Sequence, residues 1–345
     1  MRSQSYLIFS FRGQDYLSVP TVPPRLRSLG VELYKEISVR RWLFKLGVRL
    51  AILARIDRLV ARQLSTPVAK HPNFSFDAWL AEARQGIGST DAQAVVSFPG
   101  QANRRRFYVN LVSPEAEALA FAKISLDEKN DQHLQTEAKT LRYLAAQDIR
   151  SFRVPKVLVE GTFNSHRYLI TEPMPAKVKP VPAIWEPIPK RCRDELAGIS
   201  RRKRRVEELS WWADFNNKSG EVKLLAEAID AGPNREVEVC WAHGDYTSRN
   251  ISCIGDEVWL FDWENSSPDA PLMTDEVRFF LAMHGRQIVS NPPEVAKALG
   301  RRYLASRDRA AHRDLALALA YLSTRTKSGV ICGRHWHHIV SHTKT

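Results

Sequence analysis

The apolar and polar positions of this chain change rhythm along its length. Between Val39 and Leu64 they recur at helical spacing. Trp42, Leu46, Leu50, Leu53 and Val60 share one side, and Arg41, Lys45, Arg49, Arg58 and Arg62 another. That spacing predicts one long amphipathic helix, slightly weakened by Gly47. From about 92 to 172 the rhythm shortens. AVVSF and RRFYVNLV read as strands joined by PGQAN, LAFAKIS as a third, and VPKVLVEG and HRYLITEP as two more. DQHLQTEAKTLRYLAA, residues 131–146, reads as a helix between them. A crossing with six prolines follows, from Pro173 to Pro189, and beyond it the pattern is mainly helical.

One segment interrupts that helical stretch: HGDYTSRNISCIGDEVWLFDWE, residues 243–264. Asn250 opens an alternating run, Gly255-Asp256 is a turn signal, and Val258 to Phe261 is a short apolar run of strand formers. The spacing predicts a tight hairpin with Asn250 near its start and Asp262 at its exit, so that both face one space. Asp245 lies five residues before Asn250. Phosphoryl transfer from a nucleotide asks for such a set. One carboxylate orients and deprotonates a hydroxyl, while an amide oxygen and a second carboxylate hold magnesium. Magnesium prefers oxygen ligands, which Asn and Asp supply. Read without chemistry, His243-Gly244-Asp245 is an ordinary turn and Asp262 a helix cap. The joint spacing favours the catalytic reading.

Bulk properties narrow the setting. A chain of 345 residues buries a large core and usually makes two or three domains. Its apolar share of 44% and charged share of 26% are ordinary for a soluble globular protein. The four Cys, at 192, 240, 253 and 332, include no CxxC pair. That argues against a zinc site or a disulfide framework and fits reduced thiols in a cytoplasmic protein. The N-terminal apolar run is too short for a signal peptide, and no stretch approaches the roughly 18 apolar residues of a spanning helix. The net charge of +13 implies attraction to something anionic: a nucleotide, a phosphorylated substrate, nucleic acid or an acidic membrane surface.

The element order is strand, loop, strand, strand with Lys123, helix with Glu137, two strands, crossing, helices, HGDxxxxN, hairpin, Asp262. Over about 92–325 this order resembles the aminoglycoside phosphotransferase and choline kinase group, relatives of the protein kinases. Its specific part is HGDYTSRN with FDWE. The resemblance implies an α+β, two-lobed protein-kinase-like fold. A small antiparallel-sheet N-lobe would cover 91–175 and a mainly helical C-lobe 176–345, with a helical accessory extension over 1–90. It also implies ATP or GTP in a cleft, Mg2+, and transfer to a hydroxyl of a small molecule or glycan.

Carried over by position, Asp245 would be the catalytic base, Asn250 and Asp262 the magnesium ligands, and His243 a brace for the loop. Lys123 would contact nucleotide phosphates with Glu137 as its partner. Ile170, Glu172 and Met174 would mark the hinge whose backbone takes the purine. Glu264 matches a second acidic residue that assists the metal, or is an ordinary solvated carboxylate. Asp275 matches an Asp that supports the catalytic loop, or simply starts a helix. The chain departs from the pattern in two places. PGQANRRRF has one glycine, Gly100, where a Gly-rich run is usual, with Arg104 to Arg106 behind it. Arg249 replaces a small residue and would touch a phosphate or a substrate anion.

Other motifs carry blander readings. His312-Arg313-Asp314 spells the protein-kinase HRD, but Leu319 five residues on binds no metal, and DLALALAYL reads as a buried helix. The arginine-dense 191–205 reads as a solvated face before a nucleic-acid or acidic-glycan surface. Trp211-Trp212 reads as core anchors before an acceptor pocket. No metal is expected at Cys332, His335, His337 and His338. The basic 39–64 helix could lie on an anionic membrane at the inner face; the preferred reading packs its apolar stripe on the protein. The alternative to a phosphotransferase is a kinase-like scaffold that docks to membrane or nucleic acid without catalysis.

Overall fold

The computed structural model describes residues 5–33, 39–68, 71, 74–99, 105–175, 179–180, 187–218, 222–230, 236–304 and 309–340. The chain forms two compact units, 1–145 with 155–176, and 146–154 with 177–345. The first is built on an antiparallel sheet and the second is mainly helical, so the fold class is α+β as expected.

In chain order the first unit holds β1 (Tyr6–Phe11), β2 (Gln14–Pro20), α1 (Arg25–Leu33), α2 (Val39–Leu53), α3 (Asp57–Val60), β3 (Arg62–Leu64) and α4 (Phe76–Gly86). It continues with β4 (Gln93–Ser97), β5 (Arg106–Val112), β6 (Ala118–Ser125), α5 (Glu128–Ala145), β7 (Val157–Phe163) and β8 (His166–Thr171). The eight strands lie in the order β3-β1-β2-β4-β5-β6-β8-β7. Alternation along β4 and β5 sends Ala94, Val96, Phe107, Val109 and Leu111 to one face, where α4 adds Phe76, Trp79, Leu80 and Ala83. The other face takes Leu7, Phe9, Leu17, Val19, Val95 and Val112 against Leu26, Val31 and Val48 of α1 and α2.

Residues 1–90, expected as a helical accessory extension, are part of the first unit and of its sheet. They supply β1, β2 and β3 and apolar helices on both faces of the sheet. The helix predicted over 39–64 stops at Leu53. Arg55 takes a left-handed φ of 58°, and Arg62–Leu64 pairs with β1, while the Arg62 side chain meets Asp15 of β2 at 2.6 Å. The apolar spacing runs on across this break, but pairing with a strand far back in the sequence outweighs it. The stripe expected to pack inward also faces out, because Phe44, Val48, Ala51 and Ile52 make the inward contacts instead. α5 begins earlier than expected. Asp127 accepts the Asn130 N–H at 2.8 Å and caps the helix three residues upstream.

The second unit holds β9 (Lys179–Pro180), α6 (Pro187–Ile199), β10 (Arg202–Arg205), α7 (Ser210–Lys218), α8 (Lys223–Asp230), β11 (Glu236–Ala242), β12 (Ile251–Ile254) and β13 (Glu257–Leu260). β14 (Ser267–Pro271), α9 (Thr274–Met283), α10 (Gly285–Ser290), α11 (Pro292–Tyr303), α12 (Arg309–Arg325), α13 (Lys327–Arg334) and α14 (Trp336–Val340) complete it. Its small sheets run β10-β11-β14 and β13-β12-β9. Every residue of α12 from Leu315 to Leu322 is buried, so this helix runs through the core among Trp211, Phe215, Leu225, Val239 and Phe280. His312, Arg313 and Asp314 lie on α12, where Arg313 donates to the Glu236 carbonyl at 3.0 Å. Trp211 and Trp212 are core residues. In the basic run, Arg193, Arg201, Arg202, Arg204 and Arg205 pair with Glu276, Glu238, Asp269, Glu208 and Glu207. Those carboxylates cancel much of its charge. Cys332 is buried, and the rings of His335, His337 and His338 lie against one another. No described helix is long and apolar enough to cross a membrane.

Candidate functional site

β11 ends in the core at Ala242, and the loop that follows is held by its own main chain. Asp275, in the first turn of α9, accepts the His243 N–H at 2.7 Å and the Gly244 N–H at 3.0 Å, one on each oxygen. Burial pushes the Asp275 carboxyl up from its ordinary range; the facing His243 and the two N–H donors oppose that shift. Asp275 thus supports the loop as well as starting the helix. Gly244 takes a φ of 77°, which glycine adopts without cost.

His243 ties the loop to the hairpin exit. Its Nε2 lies 2.9 Å from the Phe261 carbonyl and its Nδ1 3.3 Å from the Asp245 N–H. A carbonyl only accepts and a main-chain N–H only donates, so the ring carries hydrogen on Nε2 and accepts at Nδ1. The ring is fully buried and lies 4.4 Å from that of Trp263. The two ring contacts of His243 thus join the start of this loop to the hairpin exit.

The hairpin forms as predicted. β12 pairs with β13 from Ile251↔Leu260 to Ile254↔Glu257, around a two-residue turn in which Gly255 has a φ of 56°. The Phe261 N–H donates to the Asn250 carbonyl at 3.0 Å, so Asn250 and Asp262 stand at the open end. The Asn250 amide nitrogen donates to the Asp245 carbonyl at 2.9 Å and to its Oδ2 at 3.1 Å. This turns the amide oxygen of Asn250 away from Asp245, and no described residue donates to that oxygen. Asp262 sits at φ 66°, ψ 59°, a left-handed conformation that costs a non-glycine residue on the order of 1 kcal/mol. Buried Trp263 anchors the turn that follows. Glu264 is 6% exposed, so it is no solvated surface carboxylate. One oxygen each from Asp262 and Glu264 lie within 4.8 Å of each other. These two carboxylates offer the oxygen ligands that a hard divalent ion prefers.

Arg278 was not singled out by sequence. It lies on α9 one turn after Asp275 and reaches Asp245 Oδ1 at 2.5 Å, with the pair only part-exposed. The i, i+3 spacing from Asp275 was the available signal, because both residues then share a helix face. Arg249 is exposed. Among the described residues each Asp245 oxygen has one partner, which leaves it a second lone pair for a hydroxyl.

In the first unit, Lys123 Nζ on β6 donates to both carboxylate oxygens of Glu137 on α5, at 2.7 and 2.9 Å, and both residues are buried. Phe121 and Lys123 face away from the Ala120, Ala122 and Ile124 core; α5 covers that side with Leu134 and Ala138 packed on Leu169. Ile170 lies inside β8, laddered to Ala122 and Val159, so its backbone serves the sheet. The Glu172 N–H donates to the Lys156 carbonyl at 2.9 Å, and its carboxylate accepts the Lys156 N–H at 3.2 Å. Met174 is half-buried outside any regular element. Gly100 and Arg104 lie outside the described residues, while Arg106 is buried with its guanidinium 5.3 Å from the Tyr108 ring.

No protein family model and no curated protein matches the chain. Solved structures do. An aminoglycoside phosphotransferase from Alicyclobacillus acidocaldarius is 11% identical over 71% of this chain and 88% of its own, with a TM-score of 0.37. Amicoumacin kinase, solved with AMP-PNP, Ca2+ and Ami, is 11% identical over 79% of this chain and 95% of its own, with a TM-score of 0.39. WbdD, solved with a kinase inhibitor, is 16% identical over 66% of this chain and 45% of its own, with a TM-score of 0.29.

Proposed function

We propose that this chain is a nucleotide-dependent phosphotransferase that moves the γ-phosphate of ATP or GTP to a hydroxyl of a small molecule or glycan. The observation that carries this reading is the orientation of Asn250. Its nitrogen is spent on Asp245, and its oxygen is left for a cation beside the neighbouring carboxylates Asp262 and Glu264. Asp245 holds the acceptor hydroxyl and takes its proton, while Arg278 and Asn250 fix the carboxylate's direction. Lys123, aligned by Glu137, offers a positive charge to nucleotide phosphates. Magnesium, when bound by Asn250, Asp262 and Glu264, offsets the charge of the phosphates. Catalysis of this kind is mostly positioning and electrostatics, which suits a loop whose main chain is held at His243, Gly244 and Asp245.

The test is nucleotide consumption over a panel of sugars, amino alcohols, aminoglycosides and lipid-linked glycans. Asp245→Asn is expected to lower turnover by about 10²–10⁴-fold with nucleotide binding largely kept. Wild-type turnover in that variant removes Asp245 from the mechanism. Absence of thermal stabilisation by Mg·ATP and by Mg·GTP favours the non-catalytic scaffold instead.

A further inference from the structure

Helix α2 is apolar on two sides, and among the described residues only one of them packs on the core. Phe44, Val48, Ala51 and Ile52 turn toward the core. Opposite them, Leu43, Leu46, Leu50 and Leu53 follow one another at steps of three and four, with Trp42 alongside. Their exposure runs from 38% at Leu46 to 69% at Leu53. Ile56, Leu59 and Val60 extend the apolar surface through α3, at 43%, 84% and 57%. Eight of the fourteen large apolar side chains exposed among the described residues thus fall within 42–60. Single exposed leucines need no explanation, but a continuous stripe marks a contact surface.

Charge selects the partner. Arg49, Arg55 and Arg58 are exposed in the same segment, with Lys45 beside them. The only acidic residue between 42 and 60 is Asp57, which is buried and paired with Arg27. A second copy docking about a two-fold axis would set these cations against their own images. Acidic lipid headgroups neutralise them instead. α2 has 15 residues and spans no bilayer, but a helix with Trp and Leu on one side and Arg beside them lies in the headgroup region. We propose that α2 and α3 form an interfacial surface that docks this protein on an anionic lipid bilayer. This inference is independent of the phosphotransferase reading.

Co-sedimentation of the full chain with vesicles tests it, using phosphatidylcholine alone and phosphatidylcholine mixed with phosphatidylglycerol. Wild type is expected to sediment only with the mixed vesicles and to be released by raised salt. The double variant Leu46→Ser/Leu50→Ser is expected to lose about tenfold or more of its partitioning. Arg49→Glu and Arg58→Glu are expected to lose about fivefold each. Both sets alter exposed side chains, so their thermal melts should match wild type, which separates lost docking from misfolding. Equal binding to both vesicle types, or to neither, overturns the proposal. So does a wild-type dimer in light scattering that Leu46→Ser/Leu50→Ser dissociates, since the stripe then belongs to a second copy. A monomer that ignores vesicles leaves the face to a protein partner and equally overturns it.

Discussion

A methyl group on Gly244 would lie 2.0 Å from the carbonyl oxygen of Asn265, so the loop at 243–245 tolerates no side chain there. Gly244→Ala combines that clash with a left-handed φ. It is expected to destabilise the fold by at least about 1–3 kcal/mol, read from urea denaturation. An unchanged midpoint would show that the loop yields. The cysteines give a second residue-level prediction. Burial raises the thiols of Cys192, Cys240 and Cys332 to about 11, about 12 and about 12, so near pH 8 they stay protonated and covered. Cys253 is half-buried and is expected to be alkylated first; mass spectrometry should find one label on the native chain and four after denaturation. Rapid native labelling of Cys332 would contradict this. At this scale the sequence was informative about local geometry. The approach of Asn250 to Asp245 and the place of Asp262 at the hairpin exit were legible because a short loop and a tight hairpin set those distances. For Arg278 the sequence held only the i, i+3 spacing from Asp275, because its partner Asp245 lies 33 residues away and the fold brings α9 to the loop.

The element that carries most of the first unit's chemistry is α5, since it supplies the carboxylate that neutralises Lys123. The two side chains are 10% and 5% exposed, so neither charge is stabilised by water. Glu137→Ala leaves a buried ammonium that has lost this carboxylate and is expected to cost about 3–5 kcal/mol in a denaturant melt. Glu137→Gln keeps the shape and should recover part of that loss. A cost below about 1 kcal/mol would mean the pair is solvated in solution, as surface pairs are. The pairing was legible because β6 and α5 are neighbours in sequence and each has a clean period. The strands β1, β2 and β3 were not, because their partners are distant and the apolar run at Tyr6–Phe11 carries no helical or turn signal of its own. The continuous helix over 39–64 failed for the same reason: local spacing says nothing of a strand pairing that captures Arg62–Leu64.

For the whole molecule, what the sheet requires decides whether the kinase-like segment stands alone. By sequence resemblance, a chain beginning at residue 91 holds the complete nucleotide-binding lobe. In the fold, that chain would lose the neighbours of β4 at Leu17 and Ser18 and leave β4 as an unprotected edge. It would also lose Phe76, Trp79 and Leu80 from one face of the sheet and Leu7, Phe9, Val19 and Leu26 from the other. Each such side chain contributes about 1.5–3 kcal/mol by burial, and the seven together, at about 10–21 kcal/mol, match the roughly 5–15 kcal/mol by which a domain is stable. Deletion of residues 1–90 is therefore expected to give an insoluble chain, or a soluble one without a cooperative thermal transition in circular dichroism. A truncated protein that melts cooperatively would show that β1 to β3 and their helices only decorate a sheet able to close its core without them. The resemblance over 92–325 would then mark a folding unit as well as a sequence pattern.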